Sequence, residues 1–148
     1  MKIEQINRFL DCKRFAIAGI SRNNKKFGNI IYKELKKKAY NIVPVNPNMD
    51  TFEGEKCYRT IKELPSDIDA LIVVTKPEKT NSIVKEAIDK GIKHIFLQNG
   101  AQNEEAIKYA EENNINIIYK KCILMFANPS GFHKFHTSII KLFGLYPN

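Results

Sequence analysis

The sequence of 148 residues predicts an α/β fold: a Rossmann-like, doubly wound sheet of five parallel strands, with helices on both faces and a C-terminal helical extension. Two observations lead to this prediction. Apolar stretches of strand length alternate with amphipathic stretches of helical period, an order typical of parallel sheets. Most of the apolar stretches are continuously apolar, as expected for strands that are covered on both faces. Hydrophobic residues make up 43% of the chain, which suffices for the core of one domain.

The predicted strands are five short apolar stretches. They lie at residues 15–20, 41–45, 69–74, 94–97 and 115–119. The second stretch ends in VPVNPN, where Pro44 and Pro47 stop the strand because proline cannot donate to the hydrogen-bonded ladder. We expect one domain over residues 1–148, with its core in residues 11–122 and a helical tail in residues 123–148.

Helices are predicted between the strands and at both ends of the chain. They lie at residues 3–10, 27–38, 77–90, 103–112 and 130–143, with a brief helical turn at residues 61–64. In the second of these helices four apolar residues share one face, the pattern of an amphipathic helix. These residues are Phe27, Ile30, Ile31 and Leu35.

Three helix ends carry sequence signals. Thr75 precedes Pro77, a residue that suits the first turn of a helix, so Thr75 is the predicted N-cap. Gly91 is a natural stop for the same helix, because glycine readily adopts the left-handed conformation found after a helix end. Asn103 is the predicted N-cap of the next helix, and Glu105 lies in its first turn.

The composition narrows the class of protein. Residues 1–14 lack the apolar region of a secretory signal, and the longest apolar runs are far shorter than a membrane span. Cys12, Cys57 and Cys122 form no Cys-x-x-Cys pair, which suits a reducing, cytoplasmic setting. The net charge of +8 leaves a nucleic-acid-binding module open as an alternative. The lysines are spread over most of the predicted helices, so we expect neither a nucleic acid nor a membrane as partner.

The loop after the first strand, GISRNNKKFG, has the ingredients of a phosphate-binding loop. Of the dinucleotide fingerprint G-x-G-x-x-G only Gly19 is matched, and the loop lacks the Gly-Lys-Ser/Thr of a Walker A motif. Gly19 permits a tight turn, Arg22 offers a planar fork for phosphate, and Lys25 or Lys26 adds a charge. The helix that begins near Phe27 directs its first N–H groups into the loop. The competing interpretation is an ordinary strand-to-helix turn with solvated lysines.

Other polar groups extend this candidate site. Ser21 offers a hydroxyl group, and Gly28 is expected to let a ligand approach the helix end without a Cβ atom in the way. Polar turns follow the other strands at Asn46, at residues 75–77 (TKP) and at residues 98–100 (QNG). A classical NAD site has Asp or Glu where Asn46 stands, so the pattern disfavours NAD. Because carboxyl ends of parallel strands meet at one edge of the sheet, we expect these turns to form one site.

Taken in order, four motifs and a cysteine after the fifth strand resemble the coenzyme A-binding domain family. The motifs are IAGISRNNKKFG, VPVNPNMDTFEGEKCYRTIKELP, VTKPE and LQNGAQNEEA. The family comprises small stand-alone proteins whose fold is similar to the nucleotide-binding domain of the succinyl-CoA synthetase alpha subunit. The resemblance covers about residues 11–122. It implies a Rossmann-like domain that binds coenzyme A or an acyl-CoA along the carboxyl edge of the sheet.

The resemblance also implies a part for each matching residue. Phosphate contacts are implied for Gly19, Ile20, Ser21, Arg22, Lys26 and Gly28. The implied neighbours of the adenosine part are Asn46 and Pro47, those of the middle of the ligand are Thr75, Lys76 and Pro77, and those of the pantetheine end are Gln98, Asn99 and Gly100. Family members often carry arginine near position 76, and the flexible ammonium group of Lys76 cannot reproduce a planar fork.

The sequence predicts neither a complete catalytic constellation nor a metal site. His94 begins a strand, at the edge opposite to the expected ligand, and is therefore assigned a structural part. His133 and His136 share a face of the last helix, and with Cys122 they leave a Cys–His pair or a metal site open as an alternative to packing. Cys57 is expected to pack beneath its loop, and a mixed disulfide with the coenzyme thiol is the alternative.

We therefore predict a non-catalytic carrier, sensor or presenting module for coenzyme A or an acyl-CoA. The alternatives are an NAD(P)-dependent oxidoreductase or redox-sensing nucleotide-binding protein on the same fold, and the nucleic-acid-binding module. The tail is expected to pack on the domain or on a second subunit of a homodimer, or to cover the acyl end of a ligand. Its apolar stripe consists of Phe132, Phe135, Ile139, Ile140 and Phe143.

Overall fold

A computed structural model describes residues 2–127 and shows a five-stranded parallel sheet with helices on both faces. The sheet strands are β1 (Phe15–Ala18), β2 (Ile42–Val45), β5 (Ala70–Val73), β6 (His94–Gln98) and β7 (Asn116–Lys121). A separate hairpin is formed by β3 (Thr51–Phe52) and β4 (Glu55–Lys56). The helices are α1 (Ile3–Leu10), α2 (Phe27–Lys37), α3 (Pro77–Lys90) and α4 (Glu104–Glu112), with short 3₁₀ turns at Ile61–Glu63 and Ile123–Met125.

The strand order is β2-β1-β5-β6-β7, and every neighbouring pair in this sheet is parallel. The chain leaves β1 toward β2 on one side and returns to β5 on the other, so the direction of winding changes between β1 and β5. Ligands of open α/β sheets bind beyond the carboxyl ends of the strands at such a point. The predicted fold class is confirmed, and the predicted strands overlap all five observed ones.

Two layers of core cover the sheet, one on each face. Along β1, Phe15 and Ile17 point into the layer that contains α1 and α2, whereas Ala16 and Ala18 point into the layer that contains α3 and α4. All four residues are buried, as are the four residues of β5. This two-sided burial explains why these strands are continuously apolar in the sequence.

The β3–β4 hairpin was not predicted from the sequence. Its strands have two residues each, too short to show an alternating pattern, and the turn between them consists of Glu53 and Gly54, both with positive φ. Such a two-residue turn matches the twist of paired antiparallel strands. The ring of Phe52 packs against that of Tyr32 on α2, with 5.1 Å between the ring centroids. The hairpin therefore packs against α2.

The predicted helix ends are confirmed at two of three positions. The Asn103 side chain accepts a hydrogen bond from the Ala106 N–H at 3.0 Å, and Gly91 ends α3 in the left-handed conformation. Thr75 is not the N-cap of α3, and that prediction is wrong. Because Pro77 is the first helical residue, Lys76 takes the N-cap position, and the Thr75 hydroxyl lies 3.1 Å from that of Thr80.

The apolar face predicted for α2 is only half buried. Ile31 and Leu35 pack into the core, but Phe27 and Ile30 are 42% and 41% exposed. The first turn of α2 lies over the loop that follows β1 rather than over the sheet. It is buried there through Gly28 and Asn29. The periodicity of the apolar residues cannot reveal this, because the contact is made by a glycine and an amide.

The contact between α2 and the end of β1 depends on two glycines. Gly19 has φ of +120°, and a Cβ atom there would lie 2.3 Å from the carbonyl oxygen of Val74. A Cβ atom on Gly28 would lie 2.3 Å from the carbonyl oxygen of Gly19. The expectation that Gly28 leaves room for a ligand is therefore corrected, because the backbone of Gly19 occupies that space.

Several predictions for the tail fall outside the described residues. These include the helix at residues 130–143, its apolar stripe, and the pairing of His133 and His136 with Cys122. Within residues 2–127 no helix is long and apolar enough to cross a membrane.

His94 lies at the amino end of β6, where it helps to join α1 to the sheet. Its Nδ1 atom lies 3.2 Å from the Asn116 Nδ2 atom, which also donates to the carbonyl oxygen of Gln5 at 2.9 Å. Burial lowers the pKa of His94 from its usual value of 6.5, while the charge of Asp69 opposes and that of Arg8 assists this shift. The folded protein thus favours the neutral imidazole.

We expect Gly28→Ala to destabilise the fold by about 1–3 kcal/mol, because the new methyl group overlaps a fixed backbone carbonyl. At an unhindered helical position the same change stabilises a protein by about 0.5–1 kcal/mol. The sign of the change in urea-induced unfolding therefore tests the contact, and a variant that is more stable than the wild type contradicts it.

We expect the free energy of unfolding to fall as the pH decreases below the ordinary His94 pKa of 6.5. The unfolded chain binds a proton there more readily than the folded chain, so the stability present at higher pH is lost on acidification. The measurement is urea unfolding of the wild type and His94→Gln at pH 7.5 and 5.5. Equal losses in both proteins would show that His94 contributes nothing.

Candidate functional site

Two neighbouring cavities open at the carboxyl edge of the sheet. The β2-side cavity has a volume of about 450 Å³ and lies between the ends of β1 and β2, with α3 as its outer wall. The β6-side cavity has a volume of about 310 Å³ and lies between the loops that follow β1, β5 and β6. Gly19 and Thr75 line both cavities, so the two form one trough across the point where the winding of the sheet reverses.

The structure brings all the predicted site residues to this trough or its rim. The β2-side cavity contains Ile20, Asn46 and Pro47. The predicted residues of the β6-side cavity are Lys26, Gly28, Lys76, Pro77, Gln98, Asn99 and Gly100. Ser21 and Arg22 lie in an adjoining hollow of about 290 Å³ that also borders Asn46 and Asn48.

The loop after β1 is held in shape by Asn29, a residue that the sequence analysis missed. The Asn29 side chain is fully buried. Its Oδ1 atom accepts from the Ser21 N–H at 2.9 Å, and its Nδ2 atom donates to the carbonyl oxygens of Ser21 at 2.7 Å and Asn23 at 3.3 Å. An amide on the buried side of a first helical turn was the available signal, because buried amides are hydrogen-bonded.

The loop after β1 is also tied to the loop after β2. The Asn46 Nδ2 atom donates to the carbonyl oxygen of Ile20, and its Oδ1 atom accepts from the Asn48 N–H at 2.7 Å. The Arg22 Nη2 atom donates to the carbonyl oxygen of Asn48 at 2.8 Å. Asn46 thus lies at the cavity wall with both ends of its amide engaged, whereas the guanidinium group of Arg22 keeps further N–H groups for a ligand.

Two helices begin at the β6-side cavity. Lys26 and Lys76 are the N-cap residues of α2 and α3, and neither makes a side-chain capping hydrogen bond. The first N–H groups of a helix have no partner within the helix, and the N-terminal end carries a partial positive charge. Pro77 supplies no N–H group, so α2 provides more donors than α3. Together with the two lysines, these ends make the cavity favourable for an anion.

The last residue of β6 and the turn that follows it have distinct structural roles. Gln98 is buried, and its Oε1 atom accepts from the Ile123 N–H at 3.0 Å, which fixes the chain after β7. Gly100 has φ of +100°, and its N–H donates to the Gln102 Oε1 atom at 2.8 Å. Asn99 is exposed at the mouth of the cavity.

Arg59 and one face of α3 line the β2-side cavity and were also missed. The residues of α3 on this face are Lys79, Ser82, Ile83 and Glu86. Their spacing is that of a helical face, but the sequence gives no reason to direct it toward the ligand rather than solvent. Arg59 is brought to the cavity because its neighbour Tyr58 forms a parallel β-bridge with Val45, a contact that only the tertiary structure shows.

The cysteines and His94 lie away from both cavities. His94 is at the opposite edge of the sheet, as predicted. Cys57 is buried as predicted, and burial raises the pKa of its thiol. Burial is also the largest cause that raises the pKa of Cys12 to about 12. Within residues 2–127 no group of His, Cys, Asp and Glu is arranged to hold a metal ion. What the trough offers a ligand is backbone N–H groups, amides and cations.

The sequence of this chain is similar to those of two known proteins, a ligase and an uncharacterized protein. The chain is 30% identical to an acetate–CoA ligase (ADP-forming) of Methanocaldococcus jannaschii over 127 residues, which is 86% of this chain but 18% of the ligase. It is 29% identical to the uncharacterized protein YneT of Bacillus subtilis over 111 residues, 75% of this chain and 82% of YneT. The chain thus spans about a fifth of the ligase but most of YneT.

Solved structures of similar size share the fold. A conserved hypothetical protein from Pyrococcus furiosus is 40% identical, with a TM-score of 0.72 over 75% of this chain and 96% of that protein. A hypothetical protein from Pyrococcus horikoshii is 32% identical, with a TM-score of 0.78 over 83% and 87% of the two chains.

The family model described as "CoA binding domain" matches residues 13–128, nearly the range over which the sequence motifs resemble that family. Those motifs supply most of the residues that line the trough at the carboxyl edge. The resemblance is therefore confirmed, and the chain belongs to the CoA binding domain family.

Proposed function

We propose that this protein binds coenzyme A or an acyl-CoA in the trough at the carboxyl edge of its sheet and acts as a non-catalytic carrier, sensor or presenting module. The observation that carries the proposal is the trough itself. Two cavities of about 450 and 310 Å³ join at Gly19, beside the start of α2, in a chain of the CoA binding domain family. Both volumes are in the range of about 300–1,000 Å³ usual for ligand pockets.

The charges of the trough suit the phosphates of the ligand. Coenzyme A carries roughly three to four negative charges, because its phosphomonoester has a second ionisation near 6. In the proposed pose the diphosphate lies at the loop after β1, where Arg22, Lys26 and the first turn of α2 supply charge-assisted hydrogen bonds. Lys76, the N-cap residue of α3, lines the same cavity and adds a point charge.

The two cavities suit the two ends of the ligand. The β2-side cavity has apolar walls at Val45, Ile61 and Ile83, against which the adenine ring is proposed to pack. The β6-side cavity is proposed to hold the pantetheine arm. Phe27 lines that cavity with 42% of its surface exposed, which leaves apolar surface at its mouth for the acyl end.

The hydrogen bonds of Asn46 favour coenzyme A over NAD. A classical NAD site places a carboxylate at the end of β2 to accept hydrogen bonds from the ribose hydroxyl groups. Here the Asn46 Oδ1 atom already accepts from the Asn48 N–H. A carboxylate at this position would also repel a ribose phosphate, which coenzyme A carries and NAD lacks.

The non-catalytic part of the proposal is supported by the lining of the trough. Among the described residues neither cavity is lined by a cysteine or a histidine. Acyl transfer commonly uses a nucleophile with an adjacent base. Binding with the thioester end exposed would instead leave the chemistry to a partner.

We expect isothermal titration calorimetry to show saturable binding of coenzyme A and acetyl-CoA, with much weaker binding of NADH and NADPH. The physical reason is that the trough is proposed to match a ligand with a long pantetheine arm, which both dinucleotides lack, and with a phosphorylated ribose, which NADH lacks. Saturable binding of NADH without binding of coenzyme A would reject the proposed function and support the oxidoreductase alternative.

We expect Arg22→Ala to raise the Kd for coenzyme A about tenfold to a hundredfold, the effect of losing a hydrogen bond to a charged group, about 1.5–3 kcal/mol. Calorimetry measures the Kd, and thermal unfolding checks that the variant is folded. Arg8→Ala is the matched control, because Arg8 lies on α1 at the other end of the sheet. An unchanged Kd in Arg22→Ala would remove Arg22 from the site.

A further inference from the structure

The wall of the β2-side cavity carries two cations to which the sequence analysis assigned no part, Arg59 and Lys79. Arg59 lies in the segment after the β3–β4 hairpin, and Lys79 lies in the first turn of α3. They approach the cavity from two different elements of the fold. Their arrangement affects whether the cavity favours a phosphorylated or an unphosphorylated ribose.

The backbone beside Arg59 is fixed at the end of β2. The Tyr58 N–H donates to the carbonyl oxygen of Pro44 at 2.9 Å, and the Asn46 N–H donates to the carbonyl oxygen of Tyr58 at 2.9 Å. These bonds extend the parallel sheet by one bridge beyond β2. Arg59 follows directly and therefore stands level with Asn46, at the place where a doubly wound fold receives the ribose of a nucleotide.

The side chain of Arg59 is oriented by an exposed ion pair with Asp50. Its Nε and Nη2 atoms lie 2.9 and 2.8 Å from the same oxygen of Asp50. A guanidinium group has five N–H donors, so this pairing orients the fork and leaves donors for a ligand. Since Asp50 offsets much of its net charge, Arg59 acts mainly through directed hydrogen bonds.

Lys79 supplies the net charge that Arg59 lacks. Four other lysines, Lys33, Lys36, Lys37 and Lys85, have carboxylate partners within 4 Å. For Lys79 no ion pair is found within residues 2–127. Glu86 lies two turns further along the same face of α3 and repels anions, so a phosphate is placed at the Lys79 end of the cavity.

From this arrangement we infer that Arg59 and Lys79 form a subsite for a phosphomonoester on the ribose, and that they select phosphorylated over unphosphorylated ribose. The inference rests on the proposed function and adds a specificity determinant to it. In dinucleotide-binding folds a carboxylate at this place binds the ribose 2′-hydroxyl group of NAD, whereas a nearby arginine accommodates the ribose 2′-phosphate of NADP. This chain has Asn46 and Arg59 there. Coenzyme A carries its phosphate on the adjacent 3′ oxygen of the adenosine ribose.

The test compares coenzyme A with dephospho-coenzyme A, which differs only by the absence of the ribose phosphate. Calorimetry on the full chain is expected to show about tenfold or greater preference for coenzyme A. Arg59→Gln and Lys79→Gln are each expected to reduce this preference severalfold while the Kd for dephospho-coenzyme A stays within about twofold. The matched control is Lys108→Gln, because Lys108 is exposed on α4 and lines neither cavity.

Each outcome decides a separate question. Equal affinity of the wild type for the two ligands overturns the subsite and leaves the proposed function standing. A parallel loss of affinity for both ligands in Arg59→Gln also overturns it, because a merely structural part for Arg59 predicts that result. Failure of both ligands to bind the wild type overturns the proposed function together with the subsite. A reduced preference in both variants, with none in the control, supports the subsite.

Discussion

The close approach of three backbone segments at Gly19 is the constraint on which the rest of the site depends. Gly28 packs on the carbonyl group of Gly19, and Gly19 packs on that of Val74, at distances that leave no room for a Cβ atom on either glycine. The contact places the start of α2 directly above the junction between β1 and β5. Without it, the first turn of the helix and its N–H groups would stand away from the point where the sheet changes its winding.

Two amide side chains hold the loops around this junction in place. Asn29 holds the loop after β1 through the backbone of Ser21 and Asn23, and Asn46 joins that loop to the one after β2. These bonds are made within the protein itself, so the shape of the loops does not require a bound ligand, and preorganisation of this kind lowers the entropy cost of binding in general. The amides thus shape the trough, whereas Arg22, Lys26 and Arg59 are the residues proposed to contact the ligand.

The positive charges of the protein fall into two groups, those on outer helix faces and those at the trough. Much of the net charge of +8 is carried by lysines on outer helix faces, and several of them form exposed ion pairs. Such pairs contribute only about 0–1 kcal/mol each. The cations at the trough act differently, since the helix ends together with Lys26, Lys76 and Lys79 concentrate positive potential in a concave surface. An anionic small molecule is the natural partner of that arrangement.

The sequence by itself determined the fold class, the positions of the five strands and the edge at which the polar turns meet. Hydrophobic periodicity and turn residues are local signals, and a parallel sheet converts their order into a shared edge. Only the tertiary structure decided that Gly28 serves helix packing, that Phe27 and Ile30 are exposed, that Asn29 holds the loop after β1, and that Arg59 and Lys79 line the β2-side cavity. Those outcomes depend on contacts between segments distant in the chain, or on hydrogen-bond partners whose identity no local pattern records.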